Sequence, residues 1–178
     1  MHDLHSRELL MPSPAATDEL ASRLAPLLGP GEGIALTGDL GAGKTAFARA
    51  FLRTRLDPDL EVPSPTFTLV QIYEDTATDP PVEIWHVDLY RITDPEEAVE
   101  LGLEDAFSSA ICLIEWPERL GSGLPANFLG LTFRFCDNPE ARIVTLSAPA
   151  AMQDRLHRAE ITAQDGAAPT GAARDDGG

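Results

Sequence analysis

The sequence predicts an α/β domain built on a mixed, mainly parallel central sheet, with helices on both faces and a short antiparallel extension. Three observations carry that prediction. The apolar run Ile34-Ala35-Leu36-Thr37 enters a glycine-rich stretch and then a helical Ala/Phe/Arg/Leu pattern, the order strand, loop, helix found in parallel sheets. A second run, Ile111-Cys112-Leu113-Ile114, is apolar without alternation and reads as a central strand. Phe67 to Tyr73 and Val82 to Asp88 are strand candidates joined only by Glu74 to Pro81, too short for a parallel crossover, so they should pair antiparallel.

The chain has 178 residues, 43% of them hydrophobic, enough for one substantial core. The expected organisation is an N-terminal arm ending in an edge strand over 1–11, one domain over 12–148, and a helix followed by a tail over 149–178. Residues 1 to about 8 read as a polar arm, with Glu8 to Met11 as the edge strand. Ser13-Pro14 reads as a helix cap followed by proline at the first helical position, with Thr17 as a rival cap. Leu20, Leu24, Leu27 and Leu28 recur at helical spacing until Gly29-Pro30-Gly31 ends the helix.

Gly33 to Thr37 is the strand feeding the glycine-rich loop, and Thr45 to about Leu56 the helix leaving it. Phe47, Phe51 and Leu52 should cover the sheet, while Arg49, Arg53 and Arg55 should face water. Val62-Pro63-Ser64-Pro65-Thr66 is a stiff polar loop. Asp94-Pro95-Glu96-Glu97 caps a short helix through Val99 and Leu101. Phe128 to Phe135 and Ala141 to Leu146 form a terminal hairpin around an Asp-Asn-Pro turn. Pro149 to Ile161 reads as helix, and the Ala/Gly/Asp-rich tail from Thr162 to Gly178 is expected to be disordered.

Thirteen Lys and Arg against 29 Asp and Glu give a formal net charge of −16, which argues against autonomous DNA or RNA binding. The two cysteines, Cys112 and Cys136, lack metal-ligand or redox spacing. The N-terminus reads as neither a secretory signal nor a membrane helix, and a soluble cytoplasmic protein is expected.

The chemistry centres on Gly38-Asp39-Leu40-Gly41-Ala42-Gly43-Lys44-Thr45, which matches the phosphate-loop pattern and makes the domain a P-loop nucleotide-binding domain. Glycines let consecutive N–H groups point inward, and the following helix adds the positive end of its dipole. Asp39, Leu40, Gly41, Ala42, Gly43, Lys44, Thr45 and Ala46 are the expected phosphate cradle. Lys44 should reach the β- and γ-phosphates of ATP, and the Thr45 hydroxyl should ligate Mg²⁺. A hydrolase also needs an acid at the metal and a group that positions water. Asp88 and Glu115 end two strands at the sheet's carboxyl edge, the side of the phosphate loop. Glu115 is the expected metal-shell acid and Asp88 the expected water-positioning group, although spacing alone leaves that division open. Thr66, with Ser64 behind it, is the expected γ-phosphate sensor. His86 and Trp116 stand between packing and site roles.

Four blocks carry a family resemblance: the phosphate loop at 38–45, Ser-Pro-Thr-Phe-Thr-Leu-Val at 64–70, His-Val-Asp-Leu-Tyr-Arg at 86–91 and Leu-Ile-Glu-Trp-Pro-Glu-Arg at 113–119. Together they resemble the TsaE (YjeE) family, the ATPase component of bacterial tRNA threonylcarbamoyladenosine synthesis, over about residues 12 to 148. The resemblance implies ATP and Mg²⁺ as ligands, with Lys44 and Thr45 as phosphate and metal contacts and Glu115 as the metal-shell acid. It further implies Asp88 as a residue needed for hydrolysis, Ser64 to Thr68 as a switch-like loop, and Trp116 as the tryptophan beside the glutamate. The implied partners are TsaD and TsaB, which would supply most tRNA contacts. Two rivals stand beside this reading: a small-molecule phosphotransferase and a non-catalytic, nucleotide-gated interaction module.

Overall fold

Strand-forming runs and helical runs alternate along the chain, and the computed structural model, which describes residues 5–161, gathers the strands into one seven-stranded sheet. The strands are β1 (His5–Met11), β2 (Gly33–Gly38), β3 (Val70–Asp75), β4 (Val82–Asp88), β5 (Ile111–Glu115), β6 (Leu129–Phe135) and β7 (Arg142–Ala148). Their spatial order is β1-β7-β6-β2-β5-β4-β3. The four central strands, β6, β2, β5 and β4, run parallel, while β3, β7 and β1 pair antiparallel at the two sides. The mixed, mainly parallel sheet and both expected antiparallel pairs are therefore present.

The helices are α1 (Pro14–Leu24), α2 (Lys44–Arg55), α3 (Pro95–Val99), α4 (Leu103–Ser109) and α5 (Ala150–Arg158). Strand side chains alternate between faces, so each central strand feeds two cores. On one side Ile34, Leu36, Ile111 and Leu113 pack with Leu20 and Leu24 of α1, Phe47 and Phe51 of α2, and Met152 and Leu156 of α5. On the other, Val87, Cys112 and Ile114 meet Ala98 of α3, Leu103 and Ala106 of α4, Leu120 and Phe128. All five residues of β5 are buried, as its unbroken apolar run demands.

Local signals set several boundaries. Ser13 caps α1 through its side chain, with Pro14 at the first position; Thr17 is instead a buried residue inside the helix. At α3, Asp94 and Glu97 form a reciprocal capping box. No helix among the described residues is long and apolar enough to cross a membrane.

The structure corrects four expectations. β1 begins at His5, three residues inside the expected polar arm, because β7 offers a free edge along its whole length and pairs with every residue from His5 to Met11. β3 begins at Val70 and not Phe67. Residues 65–68 turn instead, Leu69 takes φ 63° with its N–H donated to the Pro65 carbonyl at 2.7 Å, and Phe67 is left 81% exposed. A helix not anticipated, α4, follows Gly102, whose φ of 74° breaks the chain from α3. Two of the α2 arginines are half-buried and not simply solvated: Arg49 donates to the Val62 carbonyl and Arg55 to the buried carboxylate of Asp75, whereas Arg53 is exposed as expected and donates to the Leu60 carbonyl. The arm before His5 and the tail from Thr162 lie outside the described residues.

Candidate functional site

Register brings the acids together. In the parallel ladder Asp88 of β4 stands opposite Glu115 of β5, and Glu115 opposite Leu36 of β2, just before β2 ends in the glycine-rich loop. Asp88 and Glu115 lie on the face that also carries Ile84, Ile111 and Leu113, the face covered by α2, so they point toward the start of that helix. Each is almost wholly buried, and each is supplied with donors. Glu115 Oε2 accepts the Thr45 hydroxyl at 2.8 Å, and Glu115 Oε1 lies 2.9 Å from His86 Nε2. Asp88 Oδ2 accepts the Thr66 hydroxyl at 2.9 Å, and Oδ1 accepts the Tyr90 N–H at 2.9 Å. Because Thr66 gives its proton to Asp88, Ser64 is the donor in the 2.6 Å contact between the two hydroxyls.

The loop's shape depends on glycine at two places. Gly38 has φ 141°, and a Cβ there would lie 2.5 Å from the Phe133 carbonyl oxygen; Gly43 enters α2 with φ 114°. Arg142 of β7 fastens the loop from the side by donating Nε to the Ala42 carbonyl at 3.1 Å. Lys44, only 4% exposed, folds its ammonium back to the carbonyls of Gly38 at 2.6 Å and Asp39 at 2.9 Å, and lies 4.1 Å from the centre of the Trp116 ring. Burial pulls Lys44 below the usual lysine range, while the charges of Glu115, Asp88, Glu118 and Asp39 oppose that shift. Trp116 takes φ 59°, rare for a bulky side chain, its N–H is donated to Leu36 and its ring stands 5.0 Å from that of Tyr90.

These groups enclose a cleft of about 480 Å³. Leu40, Gly41, Gly43, Lys44, Thr45, Ala46, Thr66, Asp88, Glu115 and Trp116 line it, joined by Tyr90. Of the sequence-derived candidates, Asp39 contributes a carbonyl to Lys44 but lies off the lining, and Ala42 is buried in the core below the loop. Sequence reasoning missed Tyr90 and Arg142. Tyr90 lay inside the quoted 86–91 block and was readable from it; Arg142 carried no local signal. A larger groove of about 840 Å³, along Leu9 to Pro12, α1 and α5, holds none of the candidate residues.

The donor set fits a magnesium-bound nucleoside triphosphate. A lysine ammonium has three protons, and loop carbonyls take two, leaving one for a phosphate. The first turn of α2 leaves N–H groups without intrahelical acceptors at the same spot. Thr45 and the two carboxylates offer oxygen, the ligand type magnesium takes. Among the described residues no three His, Cys, Asp or Glu side chains gather as a metal-holding group, so an ion here would complete its shell with water or phosphate oxygens.

The chain is similar to known proteins over most of its length. The profile of the family described as "Threonylcarbamoyl adenosine biosynthesis protein TsaE" matches residues 11–143. A relative from Rickettsia bellii, named tRNA threonylcarbamoyladenosine biosynthesis protein TsaE, is 38% identical over 138 residues, covering 78% of this chain and 92% of its own. A Bacillus subtilis protein of the same name is 34% identical over 136 residues, covering 74% and 79%. The crystal structure of Bacillus subtilis YdiB superposes with a TM-score of 0.70 at 26% identity, over 89% of this chain and 95% of that one.

Proposed function

This chain belongs to the TsaE family, and from that premise we propose that it is a Mg²⁺-dependent ATPase, releasing ADP and phosphate in support of N6-threonylcarbamoyladenosine formation at adenosine 37 of tRNA. The modification itself would be made by a TsaD–TsaB complex to which this chain binds in the cytoplasm. A charge of −16 suits a subunit whose partners make most of the tRNA contacts.

The observation that carries the reading is the hydrogen bond from Thr45 to Glu115, set beside the buried Lys44. Thr45 gives its proton to the carboxylate, so its lone pairs remain available to a cation while Glu115 stands behind it in the metal shell. Thr45 and Glu115 would hold Mg²⁺, whose charge would offset the negative charge that develops on the phosphates during transfer. Lys44 holds the same phosphates with its third proton, and the loop N–H groups orient them. Asp88, buried at the cleft wall and held by Thr66 and Tyr90, orients the attacking water or an outer ligand of the metal. Trp116, packed on Lys44 and Tyr90, walls the phosphate end from bulk solvent.

The test is phosphate release by wild type, Lys44→Ala and Glu115→Ala, each alone and with TsaD and TsaB from the same source. Partner-stimulated release that is lost in both variants is the expected result. Confirmed ATP binding and complex formation with no release would replace hydrolysis with nucleotide-gated binding, and γ-phosphate appearing on a metabolite would make the chain a kinase.

A further inference from the structure

His86 is fully buried on β4, two residues before Asp88, and reaches diagonally across the β4–β5 pair to Glu115 Oε1 at 2.9 Å. Its other ring nitrogen, Nδ1, is buried with no hydrogen-bond partner among the described residues. A carboxylate oxygen accepts, so the ring meets Glu115 as a donor through Nε2–H, aimed at one carboxylate oxygen.

Glu115 is thereby held at both oxygens, by His86 on Oε1 and by the Thr45 hydroxyl on Oε2. Without the first bond the carboxylate could turn about its side chain, and the Thr45 proton would no longer have a fixed acceptor. The hydroxyl's lone pairs would then lose their orientation toward the cleft. His86 itself does not line the cleft, so any effect on the site passes through Glu115. We propose that His86 is a positioning residue for the divalent ion, fixing Glu115 and through it Thr45. The inference rests on the reading of Thr45 and Glu115 as the ion's protein contacts.

Two substitutions separate this role from simple core filling. His86→Gln keeps an N–H donor near the position of Nε2, whereas His86→Met fills the space without one. ADP affinity is measured by calorimetry with and without Mg²⁺ in both variants and wild type, with a thermal melt of each. Metal-free affinity should be unchanged throughout; the gain in affinity from Mg²⁺ should fall about 10–100-fold in His86→Met and return in His86→Gln, the range seen when partners of metal ligands are removed. A wild-type gain in His86→Met overturns the proposal, as does a His86→Gln variant as impaired as His86→Met. Ring ¹⁵N shifts of the wild-type chain give a reading that needs no variant to fold: a protonated Nε2 is expected, and a bare Nε2 overturns it. A wild-type chain whose ADP affinity ignores Mg²⁺ would remove the ATPase reading along with this one, and is distinguished by appearing without any substitution.

Discussion

Thr66 donates its hydroxyl to Asp88 at 2.9 Å, tying the loop before β3 to the carboxyl end of β4 at the wall of the cleft. The bond holds both partners: Asp88 is fixed in orientation, and the 64–68 segment is drawn over the site while Phe67 points to solvent, its ring capped by Arg91 at 4.3 Å. Removing the hydroxyl leaves a buried carboxylate oxygen short of a donor, a loss on the scale of about 1.5–3 kcal/mol. Thr66→Val should therefore lower partner-stimulated phosphate release about tenfold or more while ADP affinity changes by less than about threefold. Weakened ADP binding with unchanged turnover would make the loop a binding element and not part of the hydrolytic step.

The phosphate loop was legible because its glycines, lysine and threonine are adjacent in sequence and their geometry is local. Asp88 and Glu115 were legible because each follows an apolar strand, and strand ends share an edge of the sheet. His86 was not assigned, because its bond to Glu115 depends on the β4–β5 register, which pairs His86 with Leu113 and leaves Glu115 on the diagonal. Arg142 was hidden for the same reason, reaching Ala42 across 100 residues of sequence. Phe67 misled by its aromatic character: a strand needs a partner edge as well as propensity, and the chain turns before β4 can offer one.

Burial separates two ion pairs that look alike in sequence. Asp75 is 2% exposed and binds Arg55 Nε at 2.5 Å, while the same guanidinium serves the carbonyls of Ala25 and Leu28. Arg134 and Glu8 pair across the sheet surface with both side chains mostly exposed. Asp75→Ala should cost about 3–5 kcal/mol, because it strands a half-buried cation, whereas Glu8→Ala should cost less than about 1 kcal/mol. Urea unfolding of the two variants measures the difference; equal midpoints would show that the Arg55 network adds nothing beyond a surface pair.

Cysteine reactivity should be one-sided. Cys112 is buried in β5 and burial pushes its thiol up to about 12, whereas Cys136 is half-buried in the turn after β6, with Sγ donated to the Asn138 carbonyl. The thiolate is the reacting form, so a thiol reagent at pH 8 should modify Cys136 alone in the folded chain and both residues in denaturant. Mass spectrometry counts the labels. Rapid double labelling without denaturant would mean that β5 opens readily.

The pairing of Glu32 with Arg155 makes stability depend on pH in a direction that can be worked out. Burial alone would raise the Glu32 carboxyl, but the Arg155 hydrogen bonds, the Gly29 N–H and the Arg155 charge outweigh it and hold the group below its ordinary value of 4.5. The folded state thus binds the proton less readily than the unfolded one. The stabilisation is complete above about pH 4.5, the unfolded value, and is lost as pH falls through the lower folded value. Arg155 also donates to the Leu27 carbonyl at 2.7 Å, so the pair ties α5 to the chain that enters β2. Arg155→Gln should lower the Tm at pH 7 by about 2–4 °C, corresponding to about 1 kcal/mol in a domain of this size. The gap between wild type and variant should narrow as the pH drops below about 4.5, because protonated Glu32 no longer pairs with the guanidinium. Melts from pH 7 to 3 decide it: a gap that stays constant would assign the effect to the Leu27 carbonyl, and one that widens in acid would reverse the sign of the linkage.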